Sequence, residues 1–194
     1  MDDFILEVEN TLPPEFCQDI IKKFEEDPDK KPGVTLAGLR PDVKRSTDLA
    51  LDVHSKKWRD IYVKLYDTLW SKVFGEYTEY LYKLPNARKW WNNEIIGPIK
   101  SIKCFQIQRV KKGEHYTWHS DALTSSERVL TFIFYLNTLD EEDGGATEFH
   151  NGLKVQPVEG KLLLFPATWT YVHRGCEVTG KTKYIITGWI YGAF

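Results

Sequence analysis

The second half of the chain is a series of short apolar segments separated by turn-forming residues. Five of these segments are rich in β-branched and aromatic residues: IKCFQIQRV, RVLTFIFYLN, GLKVQPV, GKLLLFP and KTKYIITGWIYGAF. Gly, Pro, Asp or Asn separates each from the next. Many short strands with turn signals at regular intervals are typical of a β-sandwich or β-barrel. The pattern therefore predicts an antiparallel β core over residues 99–194.

The first half of the chain shows helical spacing instead. The segment TLPPEFCQDIIKKFEED has prolines in its opening turn and apolar residues on one helical face. A longer helical pattern runs from about Lys56 to Leu84, and Gly75 is the expected point of interruption. FILEV and STDLALDV predict short strands, and DPDKKPG predicts a loop. The simplest prediction is a single α+β domain, mainly β in its core, with supporting helices from residues 1–98.

Composition and charge restrict the partners. A chain of 194 residues with a formal net charge of −2 lacks the basic surplus of proteins that bind nucleic acids or anionic membranes. Its three cysteines are widely spaced and form no C-x-x-C motif, which indicates neither a disulfide framework nor a zinc ribbon. The N-terminus lacks the pattern of a signal peptide, and no apolar run is long enough to span a membrane. A cytoplasmic location is therefore expected.

The segment EHYTWHSD contains a candidate metal site. His119 and Asp121 are two residues apart, and side chains at this spacing point to the same side of a strand. A facial non-haem iron site needs two histidines and one carboxylate, and leaves three positions open. His173, in WTYVHRG after the run LLLFP, is the candidate for the third ligand. The His-x-Asp pair alone is a weak signal, because a structural histidine bonded to a carboxylate shows the same spacing.

Lys183 follows His173 by ten residues, inside the strand-like segment TGKTKYIITGW. One interpretation is a lysine at a strand end that extends to solvent. The other is a lysine facing the barrel interior, where burial requires an anionic partner. Together with a metal triad, an interior lysine would suit 2-oxoglutarate, whose keto-acid end chelates iron while its distal carboxylate meets the cation.

The order of these features resembles the Fe(II)/2-oxoglutarate dioxygenases of the prolyl 4-hydroxylase type. YTWHSD matches the family's Tyr-x-x-His-x-Asp, RVLTFIFYLN its Arg-Val-Leu-Thr and Tyr-Leu-Asn strand, and DGGATEF its Gly-Gly-x-Thr-x-Phe turn. LLLFP, HRGCEVTGKTKY and TGWIY follow in the family's order. The resemblance covers roughly Ile99 to Phe194. The first half fits more loosely, through LPPEFCQDII and KRST.

The resemblance implies a fold, a reaction and a set of site residues. The fold is a double-stranded β-helix, a cupin-like jelly roll over residues 99–194 within one domain of residues 1–194. The implied reaction is that of an oxidoreductase that uses Fe(II), 2-oxoglutarate and O2 and releases succinate and CO2, with ascorbate as a candidate reductant. The implied catalytic metal ligands are His119, Asp121 and His173. Cofactor contacts are implied for Lys183, Tyr135, Thr187, Thr147 and Ile133. Substrate contacts are implied for Tyr116, Arg128 and Tyr191.

One position departs from the family pattern. Val110 stands nine residues before His119, where family members usually carry a tyrosine close to the cofactor. The hydroxyl must therefore be absent or supplied by another residue, such as Gln108. His115 and His150 are expected to lie outside the ligand set.

The substrate-side matches favour a peptidyl proline in a peptide or protein. We expect the recognition surface in the loops at residues 28–48, 85–98 and 122–127. A free amino acid or other small molecule is the alternative substrate. Two other classes are a cupin-type metal-binding barrel that needs no 2-oxoglutarate, and a non-catalytic binding module on the same scaffold. The sequence leaves the oligomeric state open.

Overall fold

Two antiparallel β-sheets face each other, and helices cover the outer side of one of them. The computed structural model describes residues 4–84, 99–122 and 127–192. With strands numbered along the chain, the major sheet contains β1 (Leu6–Val8), β2 (Lys31–Pro32), β3 (Thr47–Ala50), β4 (Ile99–Val110), β6 (Arg128–Tyr135), β9 (Leu162–Pro166) and β11 (Lys183–Gly192). The minor sheet contains β5 (Tyr116–His119), β7 (Thr147–Phe149), β8 (Lys154–Val155) and β10 (His173–Gly175).

The strand order explains how the chain closes around a cavity. The major sheet has the order β1-β9-β6-β11-β4-β3-β2, and the minor sheet has the order β5-β10-β7-β8. Every neighbouring pair of strands is antiparallel. Successive strands from β5 to β11 alternate mostly between the two sheets, so residues distant in sequence meet across the space between them.

The helices lie in the first half of the chain. They are α1 (Pro14–Glu26), α2 (Arg59–Lys72) and α3 (Thr78–Tyr82). A π-helical turn, Val73–Tyr77, joins α2 to α3 and contains Gly75, in agreement with the predicted interruption. A short 3-10 helix, Glu141–Asp143, lies between β6 and β7. None of the described helices is both long and apolar enough to cross a membrane.

The larger core lies between the helices and the outer face of the major sheet. Phe24 of α1 and Leu65 of α2 are fully buried in it, together with Phe105 of β4 and Ile186 of β11. A smaller core lies between the two sheets. Its buried residues are Ile133, Tyr135, Phe149, Val155, Leu163, Phe165 and Ile185.

Successive side chains of β11 point to opposite faces of the major sheet. Tyr184 and Ile186 pack on the helical side. Lys183, Ile185 and Thr187 line the cavity between the sheets. Because side chains alternate along a strand, this one segment carries a row of cavity residues and a row of core residues.

Most predicted elements are present, with two differences. The segment DPDKKPG, predicted as a loop, contains the two-residue strand β2, which pairs with β3. Strands β1, β2 and β3 join the major sheet, so this sheet takes strands from both sides of residue 98. The assignment of residues 1–194 to a single domain stays a prediction. The loop 85–98 and most of the loop 122–127 lie outside the described residues.

Candidate metal centre and its cavity

A cavity of about 420 Å³ lies between the two sheets. His119, Asp121 and His173 are all on its wall, and so is Lys183. The inner face of the major sheet, mainly β4, β6 and β11, forms one side, and β5 and β10 of the minor sheet form the other. The N-terminal segment around Lys44 closes a third side.

The two histidines are brought together by strand pairing. β10 pairs with β5, and His173 lies directly opposite His119 in the register. Directly opposed residues on neighbouring strands have adjacent side chains, and the two imidazole centroids are 4.3 Å apart. His173 Nε2 is also 3.7 Å from Asp121 Oδ2. One ligand atom from each of the three residues lies within 4.8 Å of the other two, as the sequence predicted.

Asp121 reaches this cluster by a different route from the one expected. β5 ends at His119, so Asp121 lies beyond the strand and does not share a strand face with the histidine. Instead, Asp121 Oδ2 accepts a hydrogen bond from the Thr131 hydroxyl at 2.7 Å. Arg128 Nη1 donates to the backbone carbonyl of Asp121 at 3.1 Å. Residues of β6 therefore orient the carboxylate.

Both histidines have the tautomer that leaves Nε2 available for a metal. His119 Nδ1 lies 2.8 Å from the carbonyl oxygen of Thr117, and His173 Nδ1 lies 3.0 Å from that of Tyr171. A carbonyl oxygen can only accept, so each Nδ1 carries the proton and each Nε2 keeps its lone pair. Hydrogen bonds of this kind also hold ligand imidazoles in orientation.

The chemistry of this donor set fits Fe(II). Burial, and then the nearby His173, lower the pKa of His119 to about 4 against the opposing effect of Asp121. The His119 imidazole is therefore neutral at pH 7 and available as a ligand. Two imidazole nitrogens and one carboxylate form the facial arrangement found in non-haem Fe(II) oxygenases.

Lys183 is an almost completely buried cation. Its side chain is 4% exposed, and Nζ donates a hydrogen bond to the Gly145 carbonyl at 2.6 Å. Within the described ranges it forms no ion pair with a carboxylate. Burial lowers the pKa of Lys183 to about 8. A buried ammonium with so little compensation is a strong binding position for an anion.

The implied cofactor residues occupy two layers. Ile133, Thr147 and Thr187 line the cavity with Lys183, although the Thr187 hydroxyl donates to the Phe132 carbonyl at 2.9 Å. Tyr135 is fully buried and lies behind this wall, because its hydroxyl hydrogen-bonds to Thr147 Oγ1 at 2.7 Å. Tyr135 can therefore act on a ligand through Thr147.

The position of the missing tyrosine is apolar. Val110 lines the cavity directly opposite Lys183 in the strand register. It packs with Leu139 and Val178. Gln108 also lines the cavity, but its amide nitrogen donates to Gln106 Oε1 at 2.7 Å. Val110 therefore leaves Lys183 with an apolar neighbour at this end.

Of the residues implied in substrate binding, Tyr116 and Arg128 line the cavity, and Arg128 pairs with the end of β11 that is remote from Lys183. The Tyr116 ring stacks on His119, with 3.6 Å between centroids, and burial raises its pKa to about 12. The Arg128 guanidinium lies 3.4 Å from the Trp189 ring centroid. Tyr191 lies opposite Arg128 on the neighbouring strand but is not among the described lining residues.

Sequence reasoning missed Trp189, which lines the cavity. Its signal was present, because it follows Lys183 by six residues, an even spacing that places both on one strand face. Trp189 Nε1, Arg128 Nε and His115 Nδ1 are buried without a hydrogen-bond partner in the described parts of the chain. His115 was expected outside the ligand set and is so, but it does line the cavity. His150 is exposed.

Comparison with known families agrees with this geometry. Residues 105–191 match the sequence profile of the 2OG-Fe(II) oxygenase superfamily. The match covers a little under half of the chain. The predicted cofactors Fe(II), 2-oxoglutarate and O2 are those that the superfamily uses, and the matched segment contains every candidate metal ligand and Lys183.

Curated relatives of the chain are named as hydroxylases. "Probable prolyl 4-hydroxylase 9" of Arabidopsis thaliana is 33% identical over 48% of this chain and 42% of its own length. A "PKHD-type hydroxylase" of Synechococcus sp. (strain CC9311) is 25% identical over 73% of this chain and 64% of its own length. The chain thus covers less than two thirds of either relative.

Solved structures show the same fold. A prolyl hydroxylase from Trichoplax adhaerens, in complex with a hypoxia inducible factor peptide fragment, aligns with a TM-score of 0.78 at 15% identity, over 98% of this chain and 84% of that one. A Pseudomonas putida prolyl-4-hydroxylase aligns with a TM-score of 0.69 at 16% identity, over 100% of this chain and 95% of that one. The predicted double-stranded β-helix is confirmed.

Proposed function

We propose that this chain is an Fe(II)- and 2-oxoglutarate-dependent dioxygenase that hydroxylates a peptidyl proline. One observation carries the proposal: a two-histidine, one-carboxylate cluster shares a single cavity with a buried lysine that has no carboxylate partner among the described residues. The first group suits Fe(II), and the second suits the distal carboxylate that 2-oxoglutarate carries.

The metal ligands are set before any metal binds. His119 and His173 would bind Fe(II) through Nε2, because backbone carbonyls already hold their Nδ1 protons. Asp121 would bind through its carboxylate, which Thr131 orients. Bound Fe(II), with 2-oxoglutarate and O2, supplies the oxidation of a substrate C–H bond, with release of succinate and CO2.

The residues around Lys183 would bind and orient 2-oxoglutarate. Lys183 Nζ would donate to the distal carboxylate, and Thr147 of β7 lines the cavity from the minor sheet. Ile133 and Ile185 are apolar lining residues on the Lys183 side. They exclude water from the ion pair, and an ion pair is stronger where water is excluded.

The other end of the cavity would bind the substrate peptide. Arg128 and Trp189 both line the cavity here, and Arg128 Nε and Trp189 Nε1 are buried donors without a partner in the described structure. The stacked Arg128 and Trp189 side chains also give a flat surface on which a proline ring can pack. The names of the Arabidopsis relatives and the peptide in the Trichoplax complex support this substrate class.

The decisive experiment is an anaerobic titration with Fe(II) and 2-oxoglutarate, followed by turnover in air. We expect a visible metal-to-ligand charge-transfer band, succinate formation that a proline-containing peptide stimulates, and one added oxygen atom on proline by mass spectrometry. A protein that binds iron but shows no such band would contradict the proposal. Succinate stimulated only by a free amino acid would move the substrate to the small-molecule alternative. The cytoplasmic location stays a prediction, which cell fractionation would test.

A further inference from the structure

A buried ion pair borders the cavity on its N-terminal side, and neither iron nor 2-oxoglutarate accounts for it. Lys44 Nζ lies 2.7 Å from Asp48 Oδ2, and the two side chains are 5% and 6% exposed. The Ser46 hydroxyl donates a hydrogen bond to Asp48 Oδ1 at 2.7 Å. A buried ion pair is often no more stabilising than well-packed apolar side chains. Fold stability alone therefore does not explain this pair.

The backbone brings the pair to the metal site. Residues 43–45 run beside β5, where the Thr117 N–H donates to the Val43 carbonyl at 2.8 Å. Asp48 belongs to β3 in the major sheet, where it lies opposite Gln108. The ion pair therefore connects the two sheets at the point where they enclose the cavity.

The preceding chain is shaped to cover this pair. Gly33 passes so close that a Cβ atom there would lie 2.1 Å from Ser46 Oγ and 3.0 Å from Asp48 Oδ2. Gly33 N–H also donates to the Ser46 carbonyl at 2.9 Å. Gly33 thus shields one side of the network, while Lys44 and Ser46 line the cavity on the other.

Lys44 has hydrogen-bond donors left for a ligand. An ammonium group has three N–H donors, and Asp48 is the one acceptor that the described residues give it. Lys44 Nζ lies 5.5 Å from the Tyr116 ring centroid, and that ring stacks on the metal ligand His119. The remaining donors are therefore close to where a substrate would meet the metal.

We infer that Lys44, held in place by Asp48, binds a backbone carbonyl oxygen of the peptide substrate and so selects peptides over free amino acids. This inference rests on the proposed function. A free amino acid presents a carboxylate where a peptide presents an amide carbonyl. Because Asp48 already balances the charge of Lys44, the pair offers hydrogen bonds without the net positive charge that favours a carboxylate.

The test uses a double variant that leaves no buried charge unpaired. Lys44→Met/Asp48→Leu removes the donors and the ion pair together, since removal of one partner alone would strongly destabilise the fold. Lys161→Met/Glu7→Leu is the control. It removes another buried lysine, 7% exposed, together with Glu7, whose Oε2 lies 2.7 Å from Lys161 Nζ; the second partner of Lys161, Glu9, is exposed. That pair is not among the described lining residues.

Three quantities are measured for each protein. They are the Kd for a fluorescein-labelled, end-blocked, proline-rich peptide by anisotropy on iron-free protein, the KM for the unlabelled peptide, and the Kd for 2-oxoglutarate. In Lys44→Met/Asp48→Leu we expect the Kd and KM for the peptide to rise about tenfold, as for a lost hydrogen bond to a charged group. The 2-oxoglutarate affinity stays at the wild-type value. In the control variant, all three quantities stay at wild-type values.

Each other outcome overturns the inference. The inference is rejected if the wild type hydroxylates the peptide but Lys44→Met/Asp48→Leu has an unchanged Kd and KM for it. The proposed function is then unaffected. Equal losses of peptide and 2-oxoglutarate affinity show a structural role for the pair and also reject the inference. A wild type that oxidises L-proline but no end-blocked peptide rejects both this inference and the peptidyl substrate. A wild type that produces no succinate rejects the proposed function itself.

Discussion

The two ends of the cavity are built for different ligands. At one end Lys183 is a single buried ammonium, and its neighbours on the wall include the apolar Val110 and Ile185. At the other end the Arg128 guanidinium lies over the Trp189 ring, and Arg128 Nε and Trp189 Nε1 are buried donors without a described partner. One end presents a single ammonium in apolar surroundings, and the other presents hydrogen-bond donors beside an aromatic surface.

This difference indicates how each ligand is recognised. A desolvated charge binds a small anion strongly, because water does not screen the attraction. Hydrogen-bond donors beside an aromatic surface suit a longer neutral chain that offers acceptors. The metal ligands lie beside the second of these ends, where Arg128 and Thr131 donate hydrogen bonds to Asp121. Variants at the three locations should therefore separate iron binding, 2-oxoglutarate binding and peptide binding.

The largest effect is expected for Asp121→Ala, because the reaction of both ligands depends on the metal. Loss of the carboxylate should lower Fe(II) affinity by more than about 100-fold and abolish succinate formation. Anaerobic calorimetry gives the first quantity and a succinate assay the second. Asp140→Ala is the control, because it removes a carboxylate that is 57% exposed. Fe(II) affinity that survives in Asp121→Ala would exclude this residue as a ligand.

Lys183→Met should separate the two ends. We expect the KM for 2-oxoglutarate to rise between about 10-fold and about 100-fold, because a charge-assisted hydrogen bond is lost. Fe(II) affinity and peptide affinity should change little. Lys181→Met is the control two residues away, since the Lys181 side chain is 61% exposed. Equal losses of Fe(II) and 2-oxoglutarate affinity in Lys183→Met would count against the assigned role.

Arg128→Met should affect the other end. The variant removes the unpartnered donor Nε and the cation–π contact with Trp189, so we expect the KM for the peptide to rise about tenfold. The Kd for 2-oxoglutarate should stay close to the wild-type value. Because Arg128 also donates to the Asp121 carbonyl, Fe(II) affinity is measured in parallel. A loss confined to Fe(II) affinity would assign Arg128 to the metal site instead.

Much of this contrast follows from periodicity in the sequence. The period of two in KTKYIITGW places Lys183 and Thr187 on one face, and the structure confirms that both line the cavity. The same alternation predicts that Trp189 lies on the cavity face, although the sequence analysis did not include it. His119 and His173 were predicted from ordered motifs, and cross-strand pairing brings them together.

Other parts of the site depend on contacts that no local pattern encodes. Asp121 lies beyond the end of β5 and accepts a hydrogen bond from Thr131, so its position beside the two histidines does not come from a shared strand face. Lys44 lies near the metal site because residues 43–45 run beside β5, which is distant from them in sequence. Tyr135 and Ile133 are on the same strand, but only Ile133 lines the cavity, and Tyr135 is fully buried. Sequence periodicity predicts the face of a strand and not how far a side chain lies from a cavity.

The smallest predicted effect is a pH dependence at the Lys183 end alone. Burial lowers the pKa of Lys183 to about 8, and a bound carboxylate should raise it again because it stabilises the charged form. Binding therefore requires the protonated lysine, and 2-oxoglutarate affinity should fall as pH rises through the pKa of the free site. From about pH 7 to about pH 8.5 the Kd should rise about fourfold, as the neutral fraction grows.

Two comparisons isolate the source of this dependence. Lys183→Met should bind 2-oxoglutarate weakly, with a Kd that is flat over the same range, because the carboxylates of the ligand ionise far below it. Peptide affinity should also be flat, since the residues expected to bind the peptide do not include Lys183. Calorimetric titrations at several pH values measure both. A wild-type Kd for 2-oxoglutarate that does not change with pH would mean that Lys183 keeps its proton without the ligand. Burial would then lower the pKa of Lys183 less than its apolar surroundings indicate, and the contrast between the two ends would be smaller.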